Sequence, residues 1–378
     1  MDEKLNYDDV AIIPEEITEI VSRKECNPYD EDGFLPIFAS CMSSVVSMEN
    51  FEEFNSNKIK VVLPRNYSVE ERINFMTLTG GKFNFTAFSL QEARDVFIDE
   101  KYGISSTITS KKPYKICIDL ANGHMKHLLN LVKEIKDKWG DRVIIMTGNI
   151  ANPKTYEVYC EAGVDFCRVG IGGGSLCSTS SNVSIHFPYF SLIKEIYDIK
   201  KSINGKCKII ADGNIRGYRD IQKALIYADY VMIGGLFNKA MESAGKTTYG
   251  KSYWNIRGYK IMKPLTTLFT YGKEIHREDF EKIFKLVKAD KLTVWKENFG
   301  MSTKIAQALI ASANTETLKT LKTSEGLYKH QRVEYNLKGW VENEIDYLRS
   351  SMSYTNSKTL EDYKDSQWVR ITKIRYNN

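Results

Sequence analysis

The sequence lacks any run of ~18 consecutive apolar residues, so no segment reads as a membrane-crossing helix and no membrane partner is expected. Its opening, Met1 to Val10, is polar and acidic and has no apolar leader stretch, so a cytoplasmic protein is expected. A strong excess of either charge is also missing: 53 Lys and Arg against 48 Asp and Glu leave +5. An excess that small and dispersed argues against a nucleic-acid partner. Paired cysteines are absent. The seven present (Cys26, Cys41, Cys117, Cys160, Cys167, Cys177 and Cys207) are an odd number with no Cys-x-x-Cys. That excludes a zinc ribbon, argues against a disulfide framework and fits reduced thiols, one of which can be reactive. There is no Pro/Gly-rich linker, internal repeat or low-complexity tract, so residues 1–378 read as one domain. With 42% hydrophobic and 27% charged residues, disorder is excluded and the chain can bury one large core.

What the sequence does have is a rhythm over its first 240 residues. Eight short apolar runs alternate with helix-length segments: 35–40, 60–64, 83–88, 115–120, 142–147, 166–171, 207–212 and 230–235. They are apolar almost throughout, as parallel strands covered on both faces are. Met125 to Trp139 carries Leu128, Leu129, Val132, Ile135 and Trp139 near helical spacing. Strand–helix alternation gives an α/β fold, and eight parallel strands suggest a closed (β/α)8 TIM barrel; a doubly wound sheet is the alternative. From 241 onward the rhythm fails. The tail reads as loops and helices dressing the barrel, with 246–298 as an insertion or flap region and 337–350 as a helix.

A barrel of this kind builds its site at the C-terminal ends of its strands. After 166–171 come Gly170-Ile171-Gly172-Gly173-Gly174-Ser175-Leu176-Cys177-Ser178-Thr179. Consecutive glycines let backbone approach a ligand, and exposed N–H groups can cradle phosphate. A cysteine just past such a loop is a candidate nucleophile. A flexible turn with a buried cysteine is the alternative, disfavoured by the polar residues that follow. Asp212-Gly213 ends the seventh run, where a carboxylate can hold ribose hydroxyls or merely start a turn. Gly234-Gly235 follows the eighth, a usual place for phosphate. Asp119 ends the fourth. His124 and His127 lack a third ligand nearby and read as helix-surface residues.

Taken in order, these segments resemble the IMP dehydrogenase/GMP reductase family over nearly the whole chain. Leu5 to Val10 is similar to the family's opening, and Gly148-Asn149-Ile150 to its Gly-Asn-Val strand end. Gly170 to Thr179 resembles its Gly-Ile-Gly-Pro-Gly-Ser-x-Cys-Thr-Thr loop. Ile209 to Leu225 and Tyr230 to Phe237 resemble its phosphate-binding region. Phe299 to Ser302, Ser324-Glu325-Gly326 and Arg349-Ser350 resemble its C-terminal part. Within the family the chain leans towards the reductases. Ile118 to Gly123 is similar to their Asp-Val-Ala-Asn-Gly, the link 65–82 is too short for a CBS regulatory domain, and no Arg lies between Met301 and Gln331 to form the dehydrogenase's Arg-Tyr flap.

The resemblance implies NADPH-dependent conversion of GMP to IMP and ammonia. It implies Cys177 as the nucleophile at C2 of the purine, with Thr179 and Glu325 as a proton relay. Ser175, Gly213, Gly234 and Gly235 would hold phosphate, Asp212 the ribose, and Met301, Ser302 and Gly326 the base. Asp119 and Ala121 would lie on the nicotinamide side. Backbone carbonyls of Gly172, Gly174 and Cys177 would be ligands for a monovalent cation such as K+. A homotetramer is the assembly implied. Rival readings are an IMP dehydrogenase using NAD, a member acting on another purine nucleotide, and a barrel that binds nucleotide without turnover. The motifs are also broken in places: Gly173 stands for Pro, Asn214 for Gly, Ser180 for Arg, Ser43 for Asp, Pro64-Arg65-Asn66 for His-Lys-His, and Lys322 for Arg.

Overall fold

The computed structural model describes residues 3–79, 83–108, 112–254, 260–264, 285, 293–314 and 326–371. A short strand, β1 (Val10–Ile12), precedes eight that close into a parallel barrel: β2 (Ile37–Ala39), β3 (Lys60–Leu63), β4 (Phe85–Phe88), β5 (Tyr114–Asp119), β6 (Val143–Ile150), β7 (Phe166–Val169), β8 (Lys208–Asp212) and β9 (Tyr230–Ile233). β2 pairs with β3 on one side and with β9 on the other, which completes the ring. Each of the eight expected runs contains or overlaps one barrel strand, so the closed (β/α)8 fold is the one present. The expected helix near 125–139 is Lys126–Trp139, and it buries Leu128, Leu131, Val132, Ile135 and Trp139 against the barrel.

Alternation of side chains along the strands decides what fills the barrel. Phe38, Phe85, Phe166 and Tyr230 meet inside it with ring centroids 5.1–6.2 Å apart. Met146, Ile210 and Met232 pack in the same cluster. Two residues further along their strands the inward positions turn polar: Arg168 follows Phe166, and Asp212 follows Ile210. Asp119 likewise follows Cys117. An apolar plug therefore closes the barrel's lower end, and charged side chains occupy the end where the loops lie.

The tail departs from the expectation of loops and helices. β10 (Thr247–Trp254), β11 (Lys260–Pro264), β12 (Thr293–Phe299) and β13 (Tyr328–Arg332) form an antiparallel sheet in the order β11-β10-β12-β13. β13 alternates exposed and half-buried residues, so its apolar pattern is too thin to signal a strand. The Lys-rich stretch 273–291 lies outside the described residues except for Lys285. Leu337–Tyr354 is helical, four residues longer than expected. β14 (Trp368–Arg370) returns to pair with β1. Among the described residues no helix is long and apolar enough to cross a membrane.

Candidate active site

The mouth of the barrel opens into a cavity of about 1260 Å³. Its floor is a chain of charges. Arg168 donates to Asp119 Oδ1 at 2.8 Å and, through Nε, to Asp212 Oδ2 at 2.9 Å. Asp119 and Arg168 stand level with Gly148 between them, since Asp119 pairs with Gly148 and Gly148 with Arg168. A Cβ at Gly148 would come 2.7 Å from Arg168 Cβ, so only a glycine lets the two strands lie this close here. Asn149 Nδ2 donates to Asp212 Oδ2 at 2.8 Å and to Gly170 O at 2.9 Å. Arg65 Nε approaches Asp119 Oδ2 at 3.4 Å and is buried without a hydrogen-bond acceptor.

Burial alone would raise the Asp119 carboxyl; Arg168 and then Arg65 instead hold it below the usual carboxylate range. Burial would likewise lower Arg168, but Asp212 and Asp119 hold it above its ordinary value. A hydrogen bond to Cys117, burial and Asp119 push the Cys41 thiol up, so it stays protonated and faces Asp119 Oδ1 at 3.6 Å.

Above this floor runs the glycine loop. Cys177 Sγ lies 3.2 Å from Thr179 Oγ1, and Cys177 is half-buried at the cavity wall. A Cβ on Gly235 would come 2.9 Å from Ser175 Oγ, and one on Gly213 would come 3.5 Å from Gly174 N. The loops after β7, β8 and β9 therefore converge closely enough to enclose a small anion. On the other side Cys177 forms a bridge with Gly326, and Leu327 N donates to Leu176 O at 2.9 Å. Gly300 N donates to Leu327 O at 3.2 Å. The ends of β12 and β13 are thus laced to the cysteine loop. Met301 Sδ lies 3.9 Å from Ser43 Oγ in the same cavity.

A family model described as the IMP dehydrogenase / GMP reductase domain matches residues 106–287. A GMP reductase of Buchnera aphidicola (subsp. Acyrthosiphon pisum) is 30% identical over 262 residues, covering 66% of this chain and 73% of the relative. The chain belongs to the IMP dehydrogenase/GMP reductase family. A GMP reductase of Vibrio vulnificus is 28% identical over 72% of this chain and 85% of its own, and one of Caenorhabditis elegans is 26% identical over 98% and 92%. Identities of 26–30% make it a divergent member.

Of the residues that the family motifs single out, the cavity is lined by Cys177, Thr179, Ser175, Asp212, Gly213, Gly234, Gly235, Met301, Ser302, Asp119 and Ala121, and also by Gly172 and Gly174. Gly326 stands behind this wall, opposite Cys177. Glu325 and Lys322 lie outside the described residues. Two of the three carbonyls expected to hold a cation are already engaged: Gly172 O accepts from Ser180 Oγ at 2.9 Å and Gly174 O from Cys177 N at 2.9 Å. They offer a cation only their second lone pairs. Asn214, which stands where the family has glycine, has φ +58°, and its N–H goes to Gly173 O at 3.0 Å rather than towards a phosphate. Asparagine tolerates that conformation.

His124 is tied at both ring nitrogens, Nδ1 to Thr155 Oγ1 at 3.0 Å and Nε2 to Ala151 N at 3.1 Å. Among the described residues no group of three or more His, Cys, Asp or Glu side chains is placed to hold a metal ion. Sequence reasoning passed over Arg168 and Tyr189, and placed Asn149 in a strand-end motif without giving it a role. For Arg168 a signal was present: a charge inside an apolar strand requires an internal partner.

Proposed function

We propose that the protein is a GMP reductase, converting GMP to IMP and ammonia with NADPH. The observation that carries this reading is the Cys177–Thr179 pair, Sγ to Oγ1 3.2 Å, set between an anion cradle and the Asp119–Arg168–Asp212 floor. The cradle of Ser175, Gly213, Gly234 and Gly235 suits a nucleotide phosphate. Both bonds that tether Asp212 end on Oδ2, which leaves its other oxygen to a ribose hydroxyl. Met301, Ser302 and Gly326 would flank the base.

Cys177 attacks C2 of the guanine through its thiolate. The exocyclic amine leaves as ammonia once protonated, with Thr179 and Glu325 as the relay. A thioimidate on Cys177 remains, and reduction at C2 returns the thiolate and gives IMP. Bound NADPH supplies the hydride for that reduction. Asp119 and Ala121 face the side of the cavity where a nicotinamide would lie, and the unsatisfied Arg65 Nε suits a polar group of the dinucleotide there. Water must be kept from the thioimidate, since hydrolysis would give XMP instead. The ends of β12 and β13, laced over the cysteine loop, are suited to exclude it.

The dehydrogenase alternative, IMP to XMP with NAD, is weakened by the absence of Arg between Met301 and Gln331. The same reading makes the protein a cytoplasmic, single-domain homotetramer whose small-molecule partners are purine nucleotides. The test is isotopic. NADPH carrying deuterium at C4 should deliver it to C2 of the IMP formed. IMP with C2 hydrogen derived from solvent, or no IMP, overturns the reading.

A further inference from the structure

The loop that carries Cys177 is held from outside at successive peptide groups. Tyr189 begins the helix Tyr189–Ser202 and is fully buried beneath the loop. Burial raises its pKa, so its hydroxyl stays neutral, and that hydroxyl accepts Gly173 N–H at 3.0 Å. A Cβ on Gly170 or Gly173 would run into the Tyr189 ring, and one on Gly213 would come 2.7 Å from its hydroxyl. One residue earlier in the loop, Ser180 Oγ donates to Gly172 O at 2.9 Å. Asn214 N donates to Gly173 O at 3.0 Å, and Cys177 N to Gly174 O at 2.9 Å.

Three of these positions, Gly173, Ser180 and Asn214, are places where the sequence breaks the family motif, and they interlock. A proline at 173 would have no N–H for Tyr189, and its side chain would begin where the Tyr189 ring lies. We propose that Tyr189 and Ser180 are positioning residues that brace the Cys177 loop. They give it, from within the chain, the stiffness that a proline and a cation on the loop carbonyls would otherwise give. The functional part of this inference rests on reading Cys177 as the nucleophile; the brace itself does not.

The experiment is hydrogen–deuterium exchange on the full-length, unliganded protein, with Tyr189→Phe, Ser180→Ala and Ser180→Thr alongside the wild type. Peptides covering 170–181 should exchange about fivefold faster in Tyr189→Phe and Ser180→Ala, the change that one neutral hydrogen bond carries. Ser180→Thr keeps the hydroxyl and should match the wild type, and peptides from β5 should not change in any variant. In turnover of GMP, kcat should fall about fivefold in the two loosened variants, with KM for GMP changed less than about twofold. Exchange and turnover of the wild type should also be alike in KCl and choline chloride.

Unchanged loop exchange in both variants overturns the brace. So does faster exchange spread over the whole barrel, and so does a wild type that loses about tenfold in turnover without K+. A wild type silent towards GMP, with the local exchange pattern intact, overturns the function reading and leaves the brace standing.

Discussion

At the residue scale, two side chains carry most of the account. If Cys177 is the nucleophile, Cys177→Ala lowers turnover by at least ~10³-fold while nucleotide affinity stays near that of the wild type, because a covalent route is lost and the cradle is untouched. Steady-state rates beside calorimetric titration with GMP check this, and a parallel loss of binding would count against it. Arg168 makes a prediction about pH. In the wild type, Arg168 and Arg65 hold the Asp119 carboxyl below its unfolded value, so its contribution is constant at neutral pH and is lost as pH falls through the depressed pKa, below about 4. Arg168→Met leaves two buried carboxylates without that cation and should cost about 3–5 kcal/mol at pH 8. With its main cation gone, the folded pKa of Asp119 then rises above its unfolded value. Stability is then greatest at low pH and falls as pH rises. Thermal melts should show the variant closer to the wild type at pH 5 than at pH 8, and a pH-independent gap would contradict the assignment.

At the scale of elements, the segment around Glu242 joins the tail sheet to the C-terminal helix. Glu242 Oε2 accepts Leu337 N at the start of Leu337–Tyr354, and Lys296 of β12 donates to Ser243 O, both at 2.8 Å. Burial pushes the Glu242 carboxyl up to about 7 and pulls Lys296 down to about 8. A carboxyl raised in the fold stabilises below its unfolded pKa, and that stability is lost as pH rises through 7. Glu242→Gln keeps an acceptor for Leu337 and removes the titration. Its unfolding free energy, read from thermal melts, should gain on the wild type between pH 5 and pH 7.5 by a margin on the order of 1–3 kcal/mol. A difference that does not change with pH would contradict this.

The barrel strands were legible because each is a short apolar run bounded by turn residues, and the helix 126–139 because its apolar residues keep one face. The sheet β10–β13 was not, because β12 and β13 mix Lys, Glu, His and Gln with their apolar positions and earn their pairing from neighbours. The glycine loop was legible as a motif. Its brace was not, because Tyr189 looks ordinary in sequence, Ser180 and Asn214 show there only as motif departures, and all three meet Gly172 and Gly173 only in space.

At the scale of the whole molecule, the barrel, the charged floor at its upper end and the tail sheet laced to the cysteine loop compose one cavity, which is lined by every described candidate site residue except Gly326. The sequence could announce those residues because the family motifs are contiguous stretches following β5, β7, β8 and β9. It could not announce the Asp119–Arg168–Asp212 chain, which depends on strands lying side by side in register. The measurement that tests the central claim most directly is absorbance at 340 nm with purified protein, GMP and NADPH, run beside IMP and NAD. The account predicts NADPH loss that requires GMP, yields IMP and ammonia in equal amounts, and vanishes in Cys177→Ala. Absorbance that instead grows with IMP and NAD, with XMP formed, would contradict it.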